Sequence, residues 1–156
     1  MAFDGVNMGL GTIAKLSKAQ SRSISAENVY GEKGRGGMAE QSATAQPEVA
    51  RIGQVWEAPN AAARELGQKW KVRPCIKLPA GTTTTLMDVD GPGCIQHMWI
   101  TFEDRFYRDV ILRIYWDGET QPSVETPLGD FFCNGFRKRT KIVSLRTRFV
   151  FSRICG

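Results

Sequence analysis

The sequence predicts a mainly β fold: an antiparallel, jelly-roll-like sandwich preceded by an N-terminal arm of helix and loop. Segments in which apolar and polar residues alternate recur about every ten residues, as in β-sandwiches. Turn sequences rich in Gly and Pro separate them. The one helix predicted between them is too short to cross a sheet, so parallel βαβ units are not expected. We therefore predict an arm at residues 1–50, a β domain at 51–136 and a basic tail at 137–156.

Length and composition are those of one globular domain. The chain has 156 residues, 42% of them apolar and 24% charged, which is enough for a single core. Its four cysteines are far apart and it has one histidine, so zinc-type spacing is absent, and no metal or cofactor is predicted. No secretory signal or membrane-spanning stretch is visible, which predicts a cytoplasmic protein that does not bind membranes.

The arm begins with a short predicted helix at residues 8–20, where Ile13 and Leu16 share a face. Residues 21–41 are rich in glycine and in charges of both signs, which predicts a loop. Its glycines would allow close backbone approach to a ligand or to another chain. The order of residues required for a P-loop is missing. A flexible connector is the alternative interpretation.

The first half of the β domain is predicted to hold a short strand at 51–56, a helix at 61–66, and strands at 70–78, 82–89 and 94–102. A turn at Asp90-Gly91-Pro92-Gly93 separates the last two strands. The single histidine, His97, would share a strand face with Ile95 and Trp99. We expect it to lie in the core or at an interface, and a catalytic dyad is the less favoured alternative.

The chain is organised around residues 109–132. Residues 110–116 alternate in β-branched and aromatic types, which predicts a strand, and Asp117-Gly118 ends it in a tight turn. The sequence after the turn is not that of an ordinary return strand, because Pro122, Pro127 and Gly129 interrupt it.

Four carboxylates accompany this strand and turn: Asp117, Glu119, Glu125 and Asp130. Acidic side chains on backbone held rigid by Pro and Gly are typical of a sugar or metal site. A solvated turn whose acids keep it soluble is the alternative. Two carboxyl groups about 5–5.5 Å apart can act together, one as a nucleophile and one as acid and base. Opposed residues on neighbouring strands have Cβ atoms about 4.5–5.5 Å apart, so Asp117 or Glu119 facing Glu125 would meet that demand.

The tail at residues 137–156 has seven Arg and Lys residues and no acid. Such a tail can bind nucleic acid. However, its basic residues are mixed with a large apolar load and fit no nucleic-acid-binding motif, so we expect no nucleic-acid partner. We interpret it as divergent sequence, consistent with a frameshifted end, that contributes nothing to function.

Three stretches of the chain resemble one family. They are SRSISAENVYGEKGRGG, DVDGPGCIQHMWITF and ILRIYWDGETQPSVETPLGDFF, in that order. They resemble the N-terminal part of glycoside hydrolase family 172, formerly the domain of unknown function 2961, over residues 21–136. The resemblance implies a longer protein of two jelly-roll domains that assembles as trimers or multiples of trimers. It also implies an exo-acting, retaining enzyme on fructofuranosides and arabinofuranosides, including difructose dianhydrides.

The resemblance also bears on the site residues. It implies that the two catalytic glutamates lie in the second half, after a Gly-Thr-Glu-Asp-Tyr type motif that this chain does not contain. We therefore expect a truncated form with little or no activity, in which Asp117, Glu119 and Glu125 are only secondary catalytic candidates. A non-catalytic jelly-roll assembly or carbohydrate-binding module is the alternative. The residues expected to contact substrate or a subunit interface are Glu27, Asn28, Glu32, Lys33, Glu125 and Asp130.

Overall fold

A computed structural model describes most of the arm and most of the chain between residues 75 and 137. The described residues are 10–12, 14–16, 18–38, 66, 69–70, 75–76 and 78–137. The strand predicted at 51–56, all but the last residue of the helix predicted at 61–66, and the tail after residue 137 lie outside this part of the chain. The chain divides into two compact units, Met1–Cys94 and Ile95–Gly156.

In the first unit, the described part of the arm begins with one turn of 3₁₀ helix at Leu10–Thr12, and no longer helix is seen among the described residues of 8–20. A predicted helix of this length is marginal without packing. The glycine-rich loop that follows is a run of β-turns, each closed by a hydrogen bond from the amide of its fourth residue to the carbonyl of its first. These turns lie at residues 25–28, 28–31, 32–35 and 35–38.

Glycine makes the last two of these turns possible. Gly34 and Gly37 each occupy the third position of a turn with positive φ, 78° and 67°, where a side chain would be strained. The Gly37 carbonyl also accepts a hydrogen bond of 2.7 Å from the amide of Lys69. Val29 is buried between the turns, with Tyr30 and Ile76 packed against it. The described part of the arm is thus an ordered element that contacts Lys69 and Ile76.

Further along the first unit, the chain turns at residues 79–82 as the sequence predicts. Thr82 closes this turn by donating from both its amide and its hydroxyl to the Pro79 carbonyl, at 3.3 and 2.7 Å. Gly81, with φ 73°, and Gly91, with φ 92°, have the positive φ that these turns require. The strand predicted between them at 82–89 is not formed, and Leu86, Met87 and Val89 are exposed. The segment has the residue types of a strand, but a strand requires a hydrogen-bonded neighbour.

In the second unit, residues 95–102 also lack the predicted strand. Their side chains nevertheless alternate as in a strand, because Met98, Ile100 and Phe102 are half-buried and the residues between them are exposed. The ring of Phe102 packs on that of Tyr107 with centroids 5.0 Å apart. A turn of 3₁₀ helix at Asp104–Phe106 then leads the chain into the sheet.

The sheet of this unit is an antiparallel hairpin of β1, Ile111–Ile114, and β2, Val124–Pro127. β1 is the strand predicted from its β-branched residues. The sequence predicted that the return strand would not be an ordinary one. A return strand, β2, does form, because Pro122 precedes it and Pro127 is its last residue, so neither proline interrupts it. The amide of Leu128 extends the pairing by donating to the Val110 carbonyl at 2.8 Å.

A single turn of helix, α1 at Leu128–Phe131, follows β2 directly. It ends in a Schellman motif, in which the amide of Asn134 donates to the Gly129 carbonyl at 2.7 Å and the amide of Cys133 to the Asp130 carbonyl at 2.9 Å. Cys133 occupies the left-handed position of this motif, with φ 61°, where glycine is usual. Asn134, the last residue of this motif, is fully buried, with 1% of its surface exposed.

Gly129 allows α1 to lie against the backbone of Tyr107. Its amide donates to the Tyr107 carbonyl at 2.8 Å. A Cβ atom added to Gly129 would lie 2.6 Å from the Tyr107 Cβ and 2.9 Å from the Tyr107 carbonyl oxygen. Tyr107 and Leu128 are the buried apolar residues on either side of this contact. The small core of the second unit therefore depends on the absence of a side chain at residue 129.

The antiparallel pairing expected of a β-sandwich is thus present on a small scale, as one two-stranded sheet with one short helix. A jelly roll is not seen in the described part of the chain. An isolated hairpin is only marginally stable in water, and three or more strands or a packed helix are needed for independent stability. Here that support comes from α1 and Tyr107.

Replacing Gly129 with alanine should destabilise the second unit. The new Cβ meets backbone and Cβ atoms that cannot rotate away, and overpacking of this kind costs about 1–3 kcal/mol. Gly135→Ala is the matched control, because nothing lies within 4 Å of a Cβ at Gly135. Urea titrations followed by tryptophan fluorescence measure both variants. Equal midpoints for Gly129→Ala and Gly135→Ala would contradict the described packing.

Candidate functional site

The candidate site is the hairpin with its connecting loop, together with α1. Trp116, Asp117, Gly118 and Glu119 form a tight turn, closed by a hydrogen bond of 2.9 Å from the Glu119 amide to the Trp116 carbonyl. Asp117 and Gly118 have φ values of 52° and 73°. Positive φ at both central residues is the signature of a type I′ turn, for which Asp-Gly is a favoured pair. The turn predicted at this position is confirmed.

Glu119 is held within the connecting loop. The hydroxyl of Ser123 donates to Glu119 Oε2 at 3.4 Å, and the Ser123 amide donates to the Ile114 carbonyl at 2.8 Å. Glu119 therefore joins the tight turn to the beginning of β2. Asp117 and Glu119 both belong to the loop and lie outside the paired residues of the two strands.

Glu125 lies on β2 directly opposite Arg113 of β1. Arg113 Nε donates to Glu125 Oε2 at 2.6 Å, and both side chains are exposed. This hydrogen bond, together with the Coulomb attraction of the carboxylate, raises the pKa of Arg113 above its ordinary value. The register thus places an arginine, and not Asp117 or Glu119, across from Glu125. The catalytic role of the three carboxylates stays a prediction.

Asp130 projects from α1 and forms an ion pair with Arg108, with Arg108 Nη2 3.2 Å from Asp130 Oδ2. Its other oxygen, Oδ1, is buried without a hydrogen-bond partner. A buried acceptor left unpaired destabilises the folded state, so the Arg108 contact and the packing of α1 must hold the carboxylate in place. The position of Asp130 follows directly from Gly129, the preceding residue, which rests on Tyr107.

The arm residues singled out from the sequence belong to the first unit, and their contacts are described within the arm. The Asn28 side chain bonds to both backbone groups of Glu32: Nδ2 donates to the Glu32 carbonyl and Oδ1 accepts from the Glu32 amide, each at 3.0 Å. Glu27 donates from its amide to the Ser25 hydroxyl at 3.3 Å. Lys33 is exposed in the middle of the turn at residues 32–35. Asn28 is thus a structural residue whose polar atoms are already used within the arm.

Sequence reasoning missed the arginines that hold the carboxylates. Arg108 and Arg113 were visible in the sequence, but only the strand register and the position of α1 show which acid each one contacts. His97 is exposed, so it is not a core residue of this chain, and an interface role stays a prediction.

The described residues contain neither a metal-binding cluster nor a helix that could span a membrane. In this part of the chain, no group of three or more His, Cys, Asp or Glu side chains could hold a metal ion. No helix in the same residues has the length and apolar character needed to cross a bilayer.

Comparison with known proteins identifies the segment that contains the candidate site. Residues 70–146 match the family model described as GH172 domain-like. The chain carries a partial glycoside hydrolase family 172-like domain. This GH172-like segment includes the hairpin, α1 and the Arg108 and Arg113 ion pairs. No curated protein and no solved structure matches the chain.

The match confirms the resemblance drawn from the sequence. Two of the three resembling stretches, 88–102 and 111–132, lie inside the GH172-like segment, whereas the arm stretch at 21–37 precedes it. The match also continues past Phe136 to residue 146. It therefore includes the first half of the segment that we predicted to be a divergent basic tail.

Exchanging the charges of Arg113 and Glu125 tests the register. Arg113→Glu places two carboxylates opposite each other, which destabilises a strand pair, and Glu125→Arg does the same with two arginines. Each single variant should melt at a lower temperature, and the double variant should recover most of the loss. The difference in melting temperature between the single variants and the double variant should shrink as salt is added, because salt screens exposed charges. Losses that simply add in the double variant would show that the two residues are not paired.

Removing the two hydrogen bonds between the Asn28 side chain and the Glu32 backbone (the Asn28 bridge) should make local opening of the arm more frequent. Asn28→Ala loses both hydrogen bonds to Glu32, and each is worth about 1 kcal/mol. If cleavage follows the population of the open form, trypsin should cut after Lys33 or Arg35 roughly fivefold faster for each bond lost. Asn28→Asp keeps the acceptor and should be intermediate, and Ser21→Ala, outside the turns, is the control. Mass spectrometry of the digest assigns each cut, and cleavage rates equal to the control would refute the bridge.

Proposed function

We propose that the chain is a glycoside hydrolase family 172-type protein, of the kind that acts on fructofuranosides or arabinofuranosides from the chain end with retention of configuration. The observation that carries this proposal is the GH172-like match over residues 70–146. The antiparallel hairpin is compatible with the jelly-roll fold that we propose for the complete domain. The substrate class follows from the resemblance.

Within this function, we assign the described carboxylates a supporting role. A retaining mechanism needs one carboxylate as nucleophile and a second as acid and base, about 5–5.5 Å apart. Glu125 is instead hydrogen-bonded to Arg113, and Asp130 is paired with Arg108. The contacts of Glu125 and Asp130 are thus with arginines, and not with the second carboxyl group that a retaining mechanism uses. We therefore expect little or no glycosidase activity from this chain alone.

A non-catalytic module that binds carbohydrate or mediates assembly is the second candidate, and the same ion pairs favour it. In such a module, the exposed side chains of Arg113 and Glu125 would donate hydrogen bonds to sugar hydroxyls and accept them, without any covalent bond being broken. The two candidates differ in one measurable outcome, which is turnover.

Assay of the purified chain distinguishes these candidates. Aryl α-arabinofuranoside and difructose dianhydride are the substrates, and calorimetric titration with the corresponding free sugars measures binding. We expect turnover near background, with Glu125→Gln no different from the exposed control Asp88→Asn. Robust turnover abolished by Glu125→Gln and kept by Asp88→Asn would instead make Glu125 catalytic. If the chain shows no turnover and binds no sugar, the result argues against a carbohydrate function.

We also propose that the protein is a homo-oligomer, a trimer or a multiple of trimers, as the resemblance implies. Large apolar side chains on the hairpin, Ile111, Tyr115 and Trp116, are exposed in the single chain, which supports burial by association. Sedimentation velocity over a range of concentrations should give a mass three times that of one chain, or a multiple of it. A monomer at every concentration would disprove this assembly.

A further inference from the structure

We draw no further inference here: the strongest candidate, the Arg108–Asp130 ion pair on the short helix α1 with its buried carboxylate oxygen, belongs to the site already described.

Discussion

The contact between Gly129 and the backbone of Tyr107 is the constraint on which the described part of the second unit depends. The Tyr107 carbonyl accepts the Gly129 amide at 2.8 Å, and a Cβ on residue 129 would lie 2.6 Å from the Tyr107 Cβ. This contact fixes the end of β2 against the turn that precedes β1, and so closes the hairpin at the end opposite its loop. A two-stranded sheet gains little from its own hydrogen bonds, so a packed contact of this kind is needed to stabilise it. Asp130, one residue further on, is placed as a consequence.

Local features of this region could be predicted from the sequence because their causes are local. β-branched residues at 111–114 favour an extended backbone, and Asp117-Gly118 favours positive φ at two successive positions. The turns at Gly81 and Gly91 follow from the same property of glycine. Each of these features is determined by the backbone preferences of a few adjacent residues. The return strand β2 was expected to be unusual because of its prolines, and it forms between them, with Pro127 as its last residue.

The strands predicted at 82–89 and 94–102 depend on partners, and sequence patterns do not supply partners. The segment at 94–102 was predicted as an interior strand because it is apolar. Its side chains alternate between half-buried and exposed from Met98 to Phe102, yet no ladder forms along residues 95–102. A row of amide and carbonyl groups becomes a strand only when a second row lies about 4.7–4.9 Å away. The alternation therefore records which face of the segment is apolar, and pairing is a separate property of the complete domain. This is also why the jelly roll remains a proposal.

In the candidate site too, the residue types could be read from the sequence, whereas the strand register that decides their partners could not. Asp117 or Glu119 facing Glu125 was considered as a pair of catalytic carboxylates, because opposed residues on neighbouring strands have Cβ atoms about 4.5–5.5 Å apart. The hairpin register separates them: two lie in the loop, and the third lies opposite Arg113. Glu125 accepts a hydrogen bond of 2.6 Å from Arg113 across the two strands, which is a charge-assisted contact. Such a pair can anchor a strand or bind a polar ligand, and a catalytic role for Glu125 stays a prediction.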